Sequence, residues 1–206
     1  MNRPRVLIAC EFSGIVRDAM NATGCDAVSC DLLPTERPGP HIQEDVLSHL
    51  GDGWDMMIFF ADCTFLANSG VRWLYKDGSS DVGRWKKMIG AAAFFNKLLN
   101  APIVKIAGEN PIQHLYARRL IRKYDQIVQP WQFGHGETKA TCLWFKNLPP
   151  LKPTDIVDGR IARVHREQPG PERWKNRSRT YEGIARAMAE QWGRPLVEKM
   201  NRGEHQ

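Results

Sequence analysis

Long apolar runs, paired cysteines, repeats and biased tracts are all missing from this chain. No stretch of its 206 residues approaches the roughly 20 consecutive apolar residues that a membrane span requires. The opening residues, MNRPRVLIACEF, pass from a basic pair into an apolar run that is too short for a signal peptide and ends in Glu11. The expectation is a cytosolic protein. Five cysteines, Cys10, Cys25, Cys30, Cys63 and Cys142, are an odd number and widely spread. With no CxxC pair and no Cys/His grouping at metal-ligand spacing, they support neither a disulfide framework nor a zinc site. Without an internal repeat or a low-complexity segment, solenoids and long disordered linkers drop out as well.

What is present fits one soluble α/β domain with a sizeable core: 42% hydrophobic and 25% charged residues. The formal charge of +6 favours a polyanionic partner such as nucleic acid. The excess is concentrated. Between Arg160 and Arg179 stand Arg163, Arg166, Arg173, Lys175 and Arg177, against Glu167 and Glu172 alone, with His165 and Trp174 interleaved. Such a run is either a solvated surface loop or a phosphate-contacting one.

Strands and helices alternate. Val6 to Cys10 reads as a buried strand, Gly14 opens a helix that Gly24 stops, and Asp26 to Cys30 is a second strand ending at Asp31. LLPTERPGPHIQ (32–43) is a proline-rich loop with room for a very short strand before Glu44-Asp45. Trp54 to Phe60 is the next strand, and from Gly83 a helix runs to Asn100, where Pro102 leads into the strand PIVKIAG. Asp125 to Gln129 and Thr141 to Phe145 form an antiparallel edge pair, and TYEGIARAMAEQWG is an amphipathic helix stopped by Gly193. The expected architecture is α/β, a mostly parallel sheet with helices on both faces. It is a single domain over 1–193, with 147–176 a basic irregular insertion and 194–206 a polar tail.

Open parallel sheets bind ligands at the carboxyl ends of their strands. Glu11-Phe12-Ser13-Gly14, Asp31, Asp45, Asp62-Cys63 and Glu109-Asn110-Pro111 all fall there. Gly14 is a plain turn or a place where backbone approaches a ligand. Asp31, about 20 residues on, stands where a carboxylate accepts the hydroxyls of a ribose. Asp45 either caps a helix at Val46 or meets an adenine amino group. Cys63 taken alone is a buried small hydrophobe or a nucleophile. A carboxyl at the next strand end, Glu109, is the partner a thiolate attacking a ring carbon needs to hold the ring nitrogen. Trp73 and Trp85 pack in the core or close over a substrate.

These residues, in this order, resemble the DNA (cytosine-5) methyltransferases, and more closely the short phage and prophage proteins similar to them. EFSGIVRDAM resembles the family's Phe-x-Gly cofactor turn, DCTFLANSG its catalytic loop with a following serine and glycine, and GENP its Glu-Asn dipeptide. QFGHGETKATCLWF is similar to the hairpin near the target base, and NRSRTYEGIARAMAEQWG to the closing segment that returns to the cofactor. The resemblance implies a Rossmann-like, S-adenosylmethionine-dependent methyltransferase fold. It implies Cys63 and Glu109 as catalytic groups. Glu11, Phe12, Ser13, Gly14, Asp31, Asp45 and Thr180 would hold S-adenosylmethionine, and Asp62, Asn68, Ser69, Asn110, Lys139 and Arg177 would face the substrate.

Three departures from the family accompany it. Asp62 replaces the usual proline before the nucleophile, and a neighbouring carboxylate raises a thiol pKa. Ile15 and Val16 stand where the cofactor turn has further glycines, and 137–141 lacks a Gln-x-Arg-x-Arg pattern. Only residues 147–176 occupy the place of a target-recognition domain. Being basic, they would grip phosphates without reading bases. The implied substrate is cytosine in DNA, single-stranded or with little sequence preference, because flipping a base out of a duplex costs a few kcal/mol. A free pyrimidine nucleotide such as dCMP is the alternative, and a SAM- or DNA-binding protein without catalysis the third.

Overall fold

Alternating side chains on short apolar strands feed two separate cores, one on each side of a seven-stranded sheet. The structure is a computed structural model that describes residues 3–203, the side chain of His165 excepted. Its main sheet is built from β1 (Arg5–Ala9), β2 (Asp26–Cys30), β3 (His41–Ile42), β4 (Met56–Phe60), β5 (Lys105–Pro111), β6 (Gln126–Val128) and β7 (Thr141–Lys146). The order across the sheet is β3-β2-β1-β4-β5-β7-β6. The first five pair in parallel, and β7 runs antiparallel to both β5 and β6. This is the expected Rossmann-like α/β arrangement, a mostly parallel sheet with an antiparallel hairpin at one edge. A separate two-stranded hairpin, Tyr75–Lys76 with Ser79–Ser80, stands apart from the main sheet.

On one face Leu7, Met57, Phe59, Ile106 and Trp144 pack against α2 (Val82–Leu99) through Ala92, Phe95 and Leu98. Phe95 meets Phe59 and Trp144 edge-on, with ring centroids 5.0 and 4.9 Å apart. On the other face Val6, Ile8, Met56, Ile58 and Leu143 pack against α1 (Ile15–Ala22) and α5 (Glu182–Met188). The central strands β1, β4 and β5 are thus buried on both sides, which is why they read as nearly unbroken apolar runs.

Three sequence expectations change. β5 extends through Glu109, Asn110 and Pro111 rather than ending at Gly108, because β7 continues to pair with those residues. The C-terminal helix does not stop at Gly193. It passes through a π-turn (Ala189–Gly193) into α6 (Arg194–Asn201), so the stretch expected to be a polar tail is helical to Asn201; residues 204–206 lie outside the described residues. Gly193 has helical dihedrals, and a Cβ there would meet Met20 Sδ and Thr23 Oγ1 at 2.9 Å, so this glycine serves close packing rather than termination. Pro195 falls in the first turn of α6, directly after the π-turn, where the regular α-helical ladder is already interrupted.

The 147–176 insertion is also more ordered than expected. It carries α3 (Arg163–Arg166) and the start of α4 (Arg173–Ser178), and its backbone is tied to 131–138 by hydrogen bonds. Val157 N–H donates to Trp131, Gly134 N–H to Asp155 and Thr138 N–H to Ile161. No helix among the described residues is long and apolar enough to cross a membrane.

α5 crosses the 130–135 turn closely enough that a Cβ on Gly183 would lie 1.8 Å from the Phe133 carbonyl oxygen. Gly183→Ala is therefore expected to lower the unfolding free energy by about 3 kcal/mol in urea titration. A wild-type midpoint would contradict the packing described.

Candidate functional site

The carboxyl ends of β1, β4 and β5 converge on a cavity of about 120 Å3, lined by Glu11, Phe12, Ser13, Cys63, Glu109 and Lys139. Asp62 and residues 177–180 close it. It opens through Asp62, Cys63, Lys139 and Arg177 into a groove of about 1220 Å3. Cys63 stands at the junction.

The Cys63 loop is held against the segment that follows β5. Asn110 Nδ2 donates to the Ala61 carbonyl at 2.8 Å, Asn68 N–H to Ile112 at 2.9 Å, and His114 N–H to Leu66 at 3.0 Å. His114 Nδ1 accepts from Ala117 N–H, which leaves Nε2 to donate to the Phe65 carbonyl at 3.0 Å. Within the loop, the Leu66 and Ala67 N–H groups both donate to the Cys63 carbonyl. Asp62 accepts from Thr64 N–H at 2.9 Å and from its hydroxyl at 2.6 Å. That Asx turn stiffens the backbone around Cys63.

Burial, then the Glu109 carboxylate, then Asp62 push the Cys63 thiol up to about 11, while Lys139 and Arg177 pull it down. Glu109 is itself raised by burial, opposed by Lys139 and by a hydrogen bond from Thr141. A thiol and a protonatable carboxyl thus face one cavity, with two cations at its mouth. Such a set can add a nucleophile to a ring while a proton is held at a ring nitrogen.

At the amino-terminal turn, Cys10 has φ 57° and Gly14 φ 74°. A Cβ on Gly14 would also strike the Arg17 guanidinium, so both conformation and space require glycine. The carboxyl of Glu11 is buried, raised by burial, and takes hydrogen bonds on Oε1 from the Ser13 hydroxyl and Val16 N–H. Its Oε2 has no partner among the described residues. Asp31 is half-buried and raised by burial, with Leu33 N–H donating to it at 2.9 Å. Asp45 is exposed and caps a short 3-10 turn, Val46–Ser48, through Leu47 N–H, so the capping alternative is the observed contact.

The expected site residues divide in three. Glu11, Phe12, Ser13, Asp62, Cys63, Glu109, Lys139, Arg177 and Thr180 line the inner cavity, and Asn68 and Ser69 line the groove. Asn110 lies behind the wall as a fully buried positioning residue, and Gly14, Asp31 and Asp45 sit outside both linings.

No protein-family model matches the chain, and no curated protein matches it. Among solved structures it is similar to a mutant of DNMT2 from Spodoptera frugiperda, at 14% identity with a TM-score of 0.40. The alignment covers 77% of this chain and 54% of that one, so the chain spans about half of that protein's length. A likeness of this size says nothing about activity, and the fold rests on the strand order.

Several residues that shape the site carry no sequence signal. Arg17 is completely buried, and its guanidinium donates to Ser29, Thr35 and the carbonyls of Arg37 and Pro38, pinning the proline-rich loop. Glu36 on that loop takes a bidentate pair of hydrogen bonds from Arg179 at 2.7 and 2.9 Å, and Arg37 pairs with Glu182 at 2.9 Å. Trp174 lies on Phe12, ring centroids 5.7 Å apart. Together they draw residues 174–182 over the amino-terminal turn. The packing expected for the two tryptophans holds for Trp85, which is half-buried against Tyr116, and fails for Trp73, which is 54% exposed.

A thiol near 11 is ionised only at high pH, so Cys63 alkylation by iodoacetamide should still be accelerating at pH 10, read by mass spectrometry of its peptide. Glu109→Gln removes a charge that raises the thiol and should speed alkylation at pH 8 several-fold. Asp62→Asn should do so by less. A plateau below pH 9 in the unaltered protein would refute this electrostatic picture.

Proposed function

We propose that the protein is a cytosine C5 methyltransferase that acts on DNA through a covalent Cys63 adduct. The observation that carries this reading is the meeting of Cys63 and Glu109 in one cavity whose floor is the Glu11–Ser13 turn. S-adenosylmethionine fits the groups at that turn: the unpartnered Glu11 Oε2 and the half-buried Asp31 are acceptors, and the cofactor offers an ammonium group and ribose hydroxyls. Glu11, Phe12, Ser13, Gly14, Asp31 and Thr180 would hold it. Bound there, it supplies an electrophilic methyl group.

The chain's own part is nucleophilic and acid–base chemistry. The Cys63 thiolate adds to C6 of the cytosine, and the electron pair pushed towards N3 is met by a proton delivered through Glu109, whose carboxyl burial makes a weaker acid. The ring is then nucleophilic at C5. Once C5 carries the methyl group, loss of the C5 proton and expulsion of Cys63 restore the aromatic ring. At pH 7 only about one thiol in 10,000 with a pKa near 11 is ionised. Lys139 and Arg177 are the groups that favour the thiolate, so their positions at the mouth bear directly on rate.

A polymer suits the site better than a free nucleotide such as dCMP, since the cavity continues into a much larger groove rich in arginine. The test is transfer of a labelled methyl group from S-adenosylmethionine to cytosine-containing DNA and, in parallel, to dCMP. Label in DNA that disappears in Cys63→Ala, with cofactor binding by calorimetry retained, supports the reading. Label in dCMP alone moves the substrate to the free nucleotide. No label in either, with cofactor still bound, marks a binding protein without catalysis. Transfer that persists in Cys63→Ala excludes the covalent mechanism.

A further inference from the structure

We propose that the outer groove binds an unpaired nucleic-acid strand, with Trp73 and Trp174 as stacking platforms for bases and arginines as phosphate contacts. The inference deepens the nucleobase reading of the Cys63 cavity and rests on it for direction only, since the groove's chemistry stands by itself. Trp73 comes from the 3-10 turn Asn68–Leu74 and Trp174 from α4, far apart in sequence, yet both line this one groove. They are 54% and 51% exposed. Large aromatics left this open usually mark an interaction surface rather than a core.

Each ring has a packed neighbour. Arg72 lies over the Trp73 ring at 4.6 Å from its centroid, and Trp174 rests on Phe12. The charge on the groove is one-sided. Arg72, Arg84, Lys139, Arg173 and Arg177 line it against Asp62 and Asp81. Both acids are already engaged, Asp62 by Thr64 and Asp81 as the cap of α2 through Arg84 N–H. Among the described residues, Arg72 and Arg177 have no acidic partner. Exposed indoles interleaved with unpaired guanidinium groups in a cleft suit single strands, because stacking needs base faces that a duplex hides. Arg177 and Lys139 border both the groove and the cavity, so one base of a bound strand has a direct way in to Cys63 without leaving a stack.

Fluorescence anisotropy with labelled oligothymidylate of about 20 nucleotides, without cofactor, tests this. The probe contains no cytosine, so binding is read independently of methyl transfer, and failure of either leaves the other to be judged alone. The expected result is at least ~10-fold tighter binding than to an A·T duplex of equal length, with quenching of tryptophan emission. Trp73→Ala and Trp174→Ala should each weaken binding roughly 10-fold, Trp73→Phe should restore most of it, and Arg72→Gln should lower the salt dependence by about one released counterion. Trp73 is the cleaner position, because Trp174 also covers Phe12. Equal or tighter duplex binding would overturn the proposal. So would wild-type affinity in the Trp73→Ala, Trp174→Ala double variant with an unchanged melting temperature.

Discussion

The hydrogen bond from Asn110 to the Ala61 carbonyl sets the spacing on which the rest of the site depends. β4 and β5 are neighbours in the sheet, with Phe60 paired to Glu109, but past Phe60 the parallel ladder ends. Without a tie the chain after β4 would be free to diverge. Asn110 makes that tie from a fully buried position, and the backbone bonds around Ala67 and Gln113 extend it. A lost partner there would leave a buried carbonyl unpaired, at a cost of about 1–3 kcal/mol. The same bond therefore contributes to stability and keeps the Cys63 loop beside Glu109. Neither reacting group stands on a free loop: one is on a strand, the other on a turn bonded to it.

A second set of ties acts on the opposite wall. Arg17 would be costly to bury alone, but five donors in a rigid fork let it satisfy a loop that has no regular ladder of its own. That loop then presents Glu36 and Arg37 to Arg179 and Glu182. These pairs are partly exposed and worth little singly. Their importance is geometric, since they fix residues 177–180 over the amino-terminal turn and so bring Arg177 and Thr180 to the cavity.

Charge within the site is layered. Carboxyl groups and a thiol with raised pKa values occupy the interior, where burial disfavours ionisation, and unpaired cations occupy the mouth. Burial thereby makes the interior groups weaker acids, while the positive charge sits at the rim. The +6 charge is plain in the sequence, but only the fold shows that part of it frames the cavity.

The succession of elements was legible in outline because buried parallel strands leave short apolar runs punctuated by glycine and proline, and the site because ligand groups in such folds collect at strand ends. Cys63, Glu109 and the Glu11–Gly14 turn could be located that way, while Asp45 stayed open between a cap and an adenine contact until the structure showed the cap. Tertiary structure decided what depends on partners distant in sequence. β5 runs on through Asn110 because β7 continues to pair with it, and the helix runs through Gly193 because that glycine makes room for Met20 and Thr23. Arg17 is buried by a loop that folds over it, and Trp73, for which the sequence left core packing and closure over a substrate open, faces the groove on the turn that carries it. Periodicity reports how a residue relates to its own element. Which element covers it is a property of the packed chain.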